Sequence, residues 1–449
     1  MRTLGRLIVA GFILFVLLQL VRPGIPSQPP TAEVQAPPAV KQVLSKSCYS
    51  CHSDQPQLAW FDQIQPARWL VRKDILTARE HLNFSTLGSL PADAQKAKLY
   101  EAVNMIQLGV MPLPRFLALH PGARVSPADL NVIKSYLAPW GPLPNQPPAT
   151  STTAAVPVVS LAAVQPVPGG FPFDPDFEHW KPISFTDRGD NNTFRFILGN
   201  DIAINAARSG NISPWPDGTR FAKIAWQQQP GPDALIHPGN FIQVELMVKD
   251  AKRYQATDGW GWGRWRGLNL KPYGNDAGFV NECTTCHLPM RDDDHVYTQP
   301  ITTARIARQE VVNNNAATLP SSLPWQPLSW NAITLYADSS HHSVAVLFGN
   351  QAAIESLRTN KSSAAGSTVQ YPAGAVLALI TWTLRDDPHW FGARIPDTPQ
   401  SVEFVEVSPE GKPNLYRHFN GSQLVEDHLN NDAATRTNFI LNLPPARLP

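Results

Sequence analysis

The sequence predicts a multidomain chain: an N-terminal membrane anchor helix, a small all-α domain, and two tandem, mostly antiparallel β (α+β) domains. Three observations lead there. The chain opens on an apolar run, a Pro-rich spacer divides its middle, and the part beyond the spacer repeats itself. Its 449 residues exceed one core, since single cores stop growing at roughly 250–300 residues. Net charge is +1 with no long run of one sign, which gives no footing to a nucleic-acid or polyanion partner. The 44 prolines point to linkers and loops.

In the first element, residues 1–23, Arg2 and Arg6 precede an apolar stretch from Leu7 to Val21, broken only by Gln19 and closed by Arg22 and Pro23. Extended to Leu4 it holds about 18 residues, enough for a helix across a hydrocarbon core of roughly 30 Å. Leu20, Val21 and Arg22 offer no small residues for cleavage, so an uncleaved anchor is favoured over a removable signal peptide. Positive charge is heavier before the span, which puts the rest of the chain on the periplasmic side of a bacterial inner membrane.

The four cysteines, Cys48, Cys51, Cys283 and Cys286, form two CxxCH units with His52 and His287. This spacing lets two thiols add to the vinyl groups of one haem while the adjoining histidine becomes an axial ligand of its iron. Two covalently bound c-type haems are therefore expected, one per motif. A zinc site built from both CxxC pairs or a redox-active dithiol are the bland alternatives, and two histidines in register on an exported chain argue against both.

Residues 37–140 form the first haem domain. Helix-like amphipathic stretches run from Pro66 to Leu82, Ala92 to Leu108 and Ser126 to Leu137, the last opened by Ser126-Pro127. Between them the loop Gly109-Val110-Met111-Pro112 presents a thioether, and Met111 is the expected sixth ligand, with Met105 and His120 as alternatives. His/Met ligation favours ferrous iron and electron transfer. The segment resembles the family called the haem-binding domain, small exported cytochromes often found behind an N-terminal anchor. The resemblance covers most of residues 44–137. It is carried by Cys48 to Ser53, Trp60, Pro66, Trp69 to Val71, Asp74-Ile75, Leu82 to Ser85, the Met111 loop and His120.

Residues 141–170 contain no acidic or basic side chain and read as a semi-extended linker. Beyond it, Phe194 to Leu198, Thr219 to Trp226, Phe241 to Val248 and Trp260 to Trp265 have strand character, with a helical stretch from Asp201 to Arg208. These belong to a second haem domain, residues 171–305. Gly199-Asn200 with Ala203 and Arg208 is echoed at Gly349-Asn350 with Ala353 and Arg358. Trp215 to Gly218 with Trp226 is echoed by Tyr371 to Gly374 with Trp382, and Val244-Glu245 by Val402-Glu403. Residues 320–449 are thus a duplicated domain without cysteine, which binds no c-type haem. The second copy is expected to pack on the first about a pseudo-twofold axis as an intrachain pseudo-dimer. The alternative is a bead on a string with Ala316 to Pro324 as tether.

The first copy resembles the cytochrome P-460 family over roughly residues 171–305. The carriers are Phe194-Arg195, Asp217-Gly218-Thr219 with Lys223, Val244-Glu245, Val248-Lys249-Asp250 with Tyr254, Gly259-Trp260-Gly261, Cys283 to His287, and Val296-Tyr297-Thr298. The resemblance implies a mostly antiparallel sheet and a five-coordinate iron on His287, open to a small nitrogen compound. It further implies a bond from Lys223 to the porphyrin edge and a pocket cation at Arg195. A solvated strand lysine and a surface arginine are the plain alternatives for these two. Family members that oxidise hydroxylamine carry a glutamate two residues after the haem histidine, where this chain has Pro289, which cannot move a proton. Asp292, Asp293 or Asp294 are possible substitutes. Three functions stay open: an oxidoreductase acting on hydroxylamine or a related nitrogen oxide that passes electrons to the first haem and on to a redox partner protein, a nitric oxide binder without turnover, and a plain dihaem electron carrier.

Overall fold

A computed structural model describes residues 2–137, 160–301, 313–359, 369–427 and 432–449. The chain divides into two units, Met1–Trp140 and Gly141–Pro449.

The first unit is helical: α1 (Arg2–Leu18), α2 (Pro38–Ser47), α3 (Tyr49–His52), α4 (Ala67–His81), α5 (Ala92–Gln107), α6 (Pro114–Leu119) and α7 (Pro127–Leu137). Three of these match the amphipathic stretches read from the sequence, because an apolar stripe of period 3.6 has one core to face. That core contains Val40, Leu44, Ile75, Leu99, Val103 and Ile133. The expected membrane anchor, and with it the periplasmic membrane location, is corrected here: among the described residues no helix is long and apolar enough to cross a membrane. The reason is length. α1 has 17 residues and Arg6 lies inside it, so its wholly apolar part runs only from Leu7 to Leu18, roughly 18 Å against a core of about 30 Å. Beyond it the chain turns, and Gln19 and Gln65 tie this end down through Gln65 N–H to Gln19 Oε1 at 3.0 Å and Gln65 Nε2 to the Val21 carbonyl at 2.8 Å.

The second unit is a closed antiparallel sheet. Its strands are β1 (Lys181–Arg188), β2 (Thr193–Gly199), β3 (Arg220–Pro230), β4 (Ile236–Lys249), β5 (Trp260–Arg266), β6 (Lys271–Pro272), β7 (Asn331–Asp338), β8 (Ser343–Gly349), β9 (Val376–Asp386), β10 (Ala393–Glu406), β11 (Leu415–Asn420) and β12 (Val425–Glu426). The helices are α8 (Asp201–Ser209), α9 (Val280–His287), α10 (Gln351–Thr359) and α11 (Ala433–Asn442). Strands β1 to β4 and β7 to β10 pair in sequence, β4 meets β7 at Ile236↔Ala337, and β10 meets β1 at Asp187↔Arg394 and Arg188↔Ala393. Eight strands thereby close into a barrel, and β5 and β11 branch from β4 and β10. The two sequence copies are accordingly not two tandem domains: each supplies half of one barrel and shares its interior. Closure removes the exposed edges that each four-stranded half would otherwise leave.

The repeat is legible atom by atom. Asn200 accepts from Ala203 N–H at 3.1 Å and donates to the Gly218 carbonyl at 2.9 Å, and Asn350 does the same with Ala353 at 3.1 Å and Gly374 at 3.0 Å. Both β1–β2 and β7–β8 shift register at the same place, around Ile183 and Ile333. Those two isoleucines lie where a Cβ on Gly199 or Gly349 would stand, at 2.4 Å and 2.9 Å from their Cδ1 atoms, which is why both helix entries need glycine.

Strand alternation sends one set of side chains inward and the other outward. The interior holds Phe185, Phe196, Trp226, Phe348, Trp382 and Phe404, all buried. The supposed tether is part of this core, since Ala317, Leu319 and Leu323 are buried and Trp382 donates to the Ala317 carbonyl at 3.0 Å. Residues 141–159 of the linker lie outside the described residues. Its end packs on the barrel, with Val167 buried and Trp265 donating to the Gln165 carbonyl at 2.9 Å.

Candidate functional site

In the first unit the CxxCH motif spans the end of α2 and the single turn α3. His52 Nδ1 donates to the Leu82 carbonyl at 2.9 Å, which leaves Nε2 as the free lone pair that a metal ligand needs. That carbonyl is placed by its neighbours: Asn83 donates to Asp54 at 2.8 Å, Asp54 N–H to Ser85 at 2.9 Å, and Phe84 N–H to the His52 carbonyl at 2.8 Å. Burial pulls the His52 imidazole below its ordinary value, so it is neutral. Desolvation raises the Cys48 thiol to about 12 and Cys51 to about 11, far from the depressed values of reactive thiolates.

The Met111 loop is held by the Met105 carbonyl, which accepts from Val110 N–H at 2.9 Å and Met111 N–H at 3.0 Å, with Gly109 at φ +71°. Of the alternative ligands, His120 is engaged elsewhere: its Nε2 meets Asp62 at 3.0 Å, its Nδ1 meets the Phe116 carbonyl at 3.1 Å, and its ring stacks on Phe116 at 3.9 Å.

In the second unit, α9 carries Cys283, Cys286 and His287 and packs on the outer face of the first half of the barrel, where Cys283 touches the cluster of Phe221, Met247, Trp260 and Trp262. His287 repeats the His52 arrangement: Nδ1 donates to the His295 carbonyl at 2.7 Å, and burial lowers the imidazole to about 4. The carbonyl is aimed by two successive left-handed residues, Asp294 (φ 49°) and His295 (φ 66°), a costly conformation that its surroundings impose. Asp294 is paired with Lys249 at 2.6 Å and accepts from Trp215 N–H at 2.9 Å, while His295 Nε2 meets Asp258 at 3.2 Å. Asp294 is thus a structural residue, not a stand-in base.

The outer face also brings together the strand residues. Register pairs Ile197 with Lys223, Lys223 with Glu245 and Glu245 with Arg264, so these four stand side by side on β2 to β5. Lys223 forms an ion pair with Glu245, whose other oxygen accepts from Arg264 Nε at 2.7 Å. Burial raises the Glu245 carboxyl, but Lys223 and Arg264 outweigh it and hold it at about 2. Burial also pulls the Lys223 amine down, against the pull of Glu245. Arg195 lies on the same face, two residues before Ile197. Its buried Nε has no hydrogen-bond partner among the described residues, and desolvation with repulsion from Arg188 brings it to about 9, still cationic at neutral pH. The indole N–H of Trp262 is likewise buried and unpartnered, with its ring 4.4 Å from that of His287.

Sequence reasoning singled out Lys223 and Arg195 but gave Glu245 no role. The only signal was its place in Val244-Glu245; that it faces Lys223 follows from β3–β4 register, which no local pattern encodes.

The second copy shows the same face without these groups. Leu379 pairs with Leu347 and Glu403 as Lys223 pairs with Ile197 and Glu245. Glu403 accepts from Arg436 Nε at 2.8 Å and Nη2 at 2.6 Å and from the Tyr416 hydroxyl at 2.5 Å, while Ile440 of α11 is buried over the face.

The fit to haem is a fit of donor chemistry. Each CxxCH helix presents a neutral histidine whose Nδ1 is committed to a backbone carbonyl. None of the four cysteines is in a disulfide, and near the second motif Arg195 Nε and the indole N–H groups of Trp260 and Trp262 are buried without a hydrogen-bond partner among the described residues. No group of three or more His, Cys, Asp or Glu able to hold a metal ion is found among the described residues. These features define a haem protein. Residues 8–139 match the family described as the haem-binding domain, and residues 174–298 match cytochrome P460. The chain therefore carries a haem-binding domain followed by a cytochrome P460 domain. No curated protein matches it.

Proposed function

We propose that the chain is a dihaem cytochrome, with one haem bonded to Cys48 and Cys51 and the other to Cys283 and Cys286. His52 and His287 would hold the irons. Met111 would be the second protein ligand of the first, which would supply electron relay to a redox partner protein. With no second protein ligand beside His287, the other iron would stay open to a small nitrogen compound, hydroxylamine or nitric oxide, to be bound or oxidised. The observation that carries this reading is the row of Lys223, Glu245 and Arg264 beside the α9 histidine, with Arg195, whose Nε is buried without a partner among the described residues, on the same face.

The haem supplies the electron sink when bound. The protein's own groups do the rest. Arg195 offers a fixed cation to an anionic or oxygen-bearing ligand. Glu245 is the carboxylate placed to take a proton from a substrate N–H or O–H, a task Pro289 cannot perform. Held at about 2 it is a weak base. Were the Lys223 amine bonded to the ring edge and so no longer an ammonium, Glu245 would lose one counter-charge and gain proton affinity. If Lys223 stays an ammonium, Glu245 stays a poor base, and that favours nitric oxide binding without turnover. The haem-free half supplies the second set of barrel strands within one chain, so the protein, taken as a monomer, needs no partner subunit for the barrel.

Hydroxylamine added to the oxidised protein should reduce the His52 haem, seen by its sharp ferrous band. Binding of nitric oxide with no such reduction would replace the enzyme reading by the second one. Light scattering that gives a dimer mass would refute the monomer.

A further inference from the structure

We propose that the haem-free half of the barrel positions the axial histidine of the haem-bearing half, through His389 and Trp390. The inference rests on the reading of His287 as the ligand of an open iron. The segment 387–392 joins β9 to β10 and lies next to the seam where Arg188 of β1 pairs with Ala393 of β10. From it, His389 Nδ1 donates to the Tyr297 carbonyl at 2.7 Å, the carbonyl being able only to accept. Trp390 meets the Tyr297 ring edge to face, with centroids 5.7 Å apart and planes at 77°.

Tyr297 in turn touches the ligand and its backbone. Its ring stands edge-on to His287 at 5.2 Å and 80°, and its hydroxyl donates to the Cys286 carbonyl at 2.6 Å. Trp390 is itself fixed, because its indole N–H donates to Asp190 Oδ2 at 3.1 Å and the Arg188 guanidinium lies over its ring at 4.7 Å. Arg188 holds the same Asp190 through Nε at 2.6 Å.

The imidazole of His287 is therefore flanked by two rings, Trp262 from β5 and Tyr297 from the loop after α9. The His295 carbonyl fixes its tautomer, and the two rings limit its rotation about the Cβ–Cγ bond. Trp262 belongs to the haem-bearing copy, but the supports of Tyr297 come from the other one. Groups that orient a metal-bound histidine tune the metal as well as hold it. The duplicated half thus serves the site it no longer duplicates. His389 and Trp390 are positioning residues, since neither reaches the ligand except through Tyr297.

The test reads the iron–histidine stretching band of the ferrous, haem-loaded protein by resonance Raman, together with the midpoint potentials of both haems. The six-coordinate His52 haem has no such band and serves as an internal standard. His389→Ala and Trp390→Ala should shift and broaden the band and move the potential of the His287 haem, leaving the His52 haem where it was. His389→Gln, which can still donate to the Tyr297 carbonyl, should restore the original band, as Trp390→Phe should in large part. If Trp390→Ala does not fold, the half-buried loop residue His389 carries the test through its Ala and Gln variants. An unchanged band and potential in the alanine variants would overturn the proposal. Absence of the band from the unsubstituted protein is a different failure: it would remove the open-iron reading itself.

Discussion

Glu245→Gln is the sharpest test of the charge arrangement on the outer barrel face. The carboxyl falls from its ordinary 4.5 to about 2, and this difference corresponds to about 3 kcal/mol of native-state stabilisation at neutral pH. Screening takes little from it, because the side chain is only 16% exposed and its partners Lys223 and Arg264 are 29% and 20% exposed. Removing one partner of a largely buried ion pair leaves the other charges unpaired, at a cost of about 3–5 kcal/mol, which agrees in scale. The sign follows from the direction of the shift. A depressed carboxyl contributes stability above its unfolded value and loses it as pH falls from about 4.5 through about 2. Urea unfolding of the protein before haem loading, followed by tryptophan fluorescence, should therefore show Glu245→Gln less stable by about 3 kcal/mol at pH 7. The deficit should narrow to about 1 kcal/mol at pH 2.5. A deficit independent of pH, or one below about 0.5 kcal/mol at pH 7, would refute the reasoning.

Three further outcomes are expected. Met111→Ala should convert the His52 haem from low to high spin with loss of the ferric thioether charge-transfer band; an unchanged band would make Met105 the ligand. Mass analysis of tryptic haem peptides should find Lys223 joined to the haem of Cys283 and Cys286, and full recovery of a free Lys223 peptide would exclude that bond. Asn200→Ala and Asn350→Ala should each cost about 1 kcal/mol in urea unfolding, since both remove the same helix cap. Clearly unequal costs would mean that the two helix entries are not equivalent.

What could be read from the linear chain was local. Cys48 to His52 and Cys283 to His287 define their chemistry by spacing, α4, α5 and α7 by a 3.6-residue stripe, and β2 to β5 by alternation and β-branched or aromatic content. The duplication was visible in Gly199-Asn200 and Gly349-Asn350 because a tight glycine contact and a capping amide recur at both places. The N-terminal run misled for an equally local reason: counting apolar residues from Leu4 to Val21 ignores that the helix ends at Leu18 and that the next residues bond to Gln65. Only the tertiary structure decided that the two copies close one barrel, that Glu245 rather than an aspartate after the haem motif faces Lys223, and that α11 covers the matching face of the second copy. It also placed His389 and Trp390 against Tyr297, some ninety positions away along the chain. Strand register and barrel closure join residues far apart in sequence, and a pairing set by the energy of the whole sheet leaves no mark in any short stretch of it.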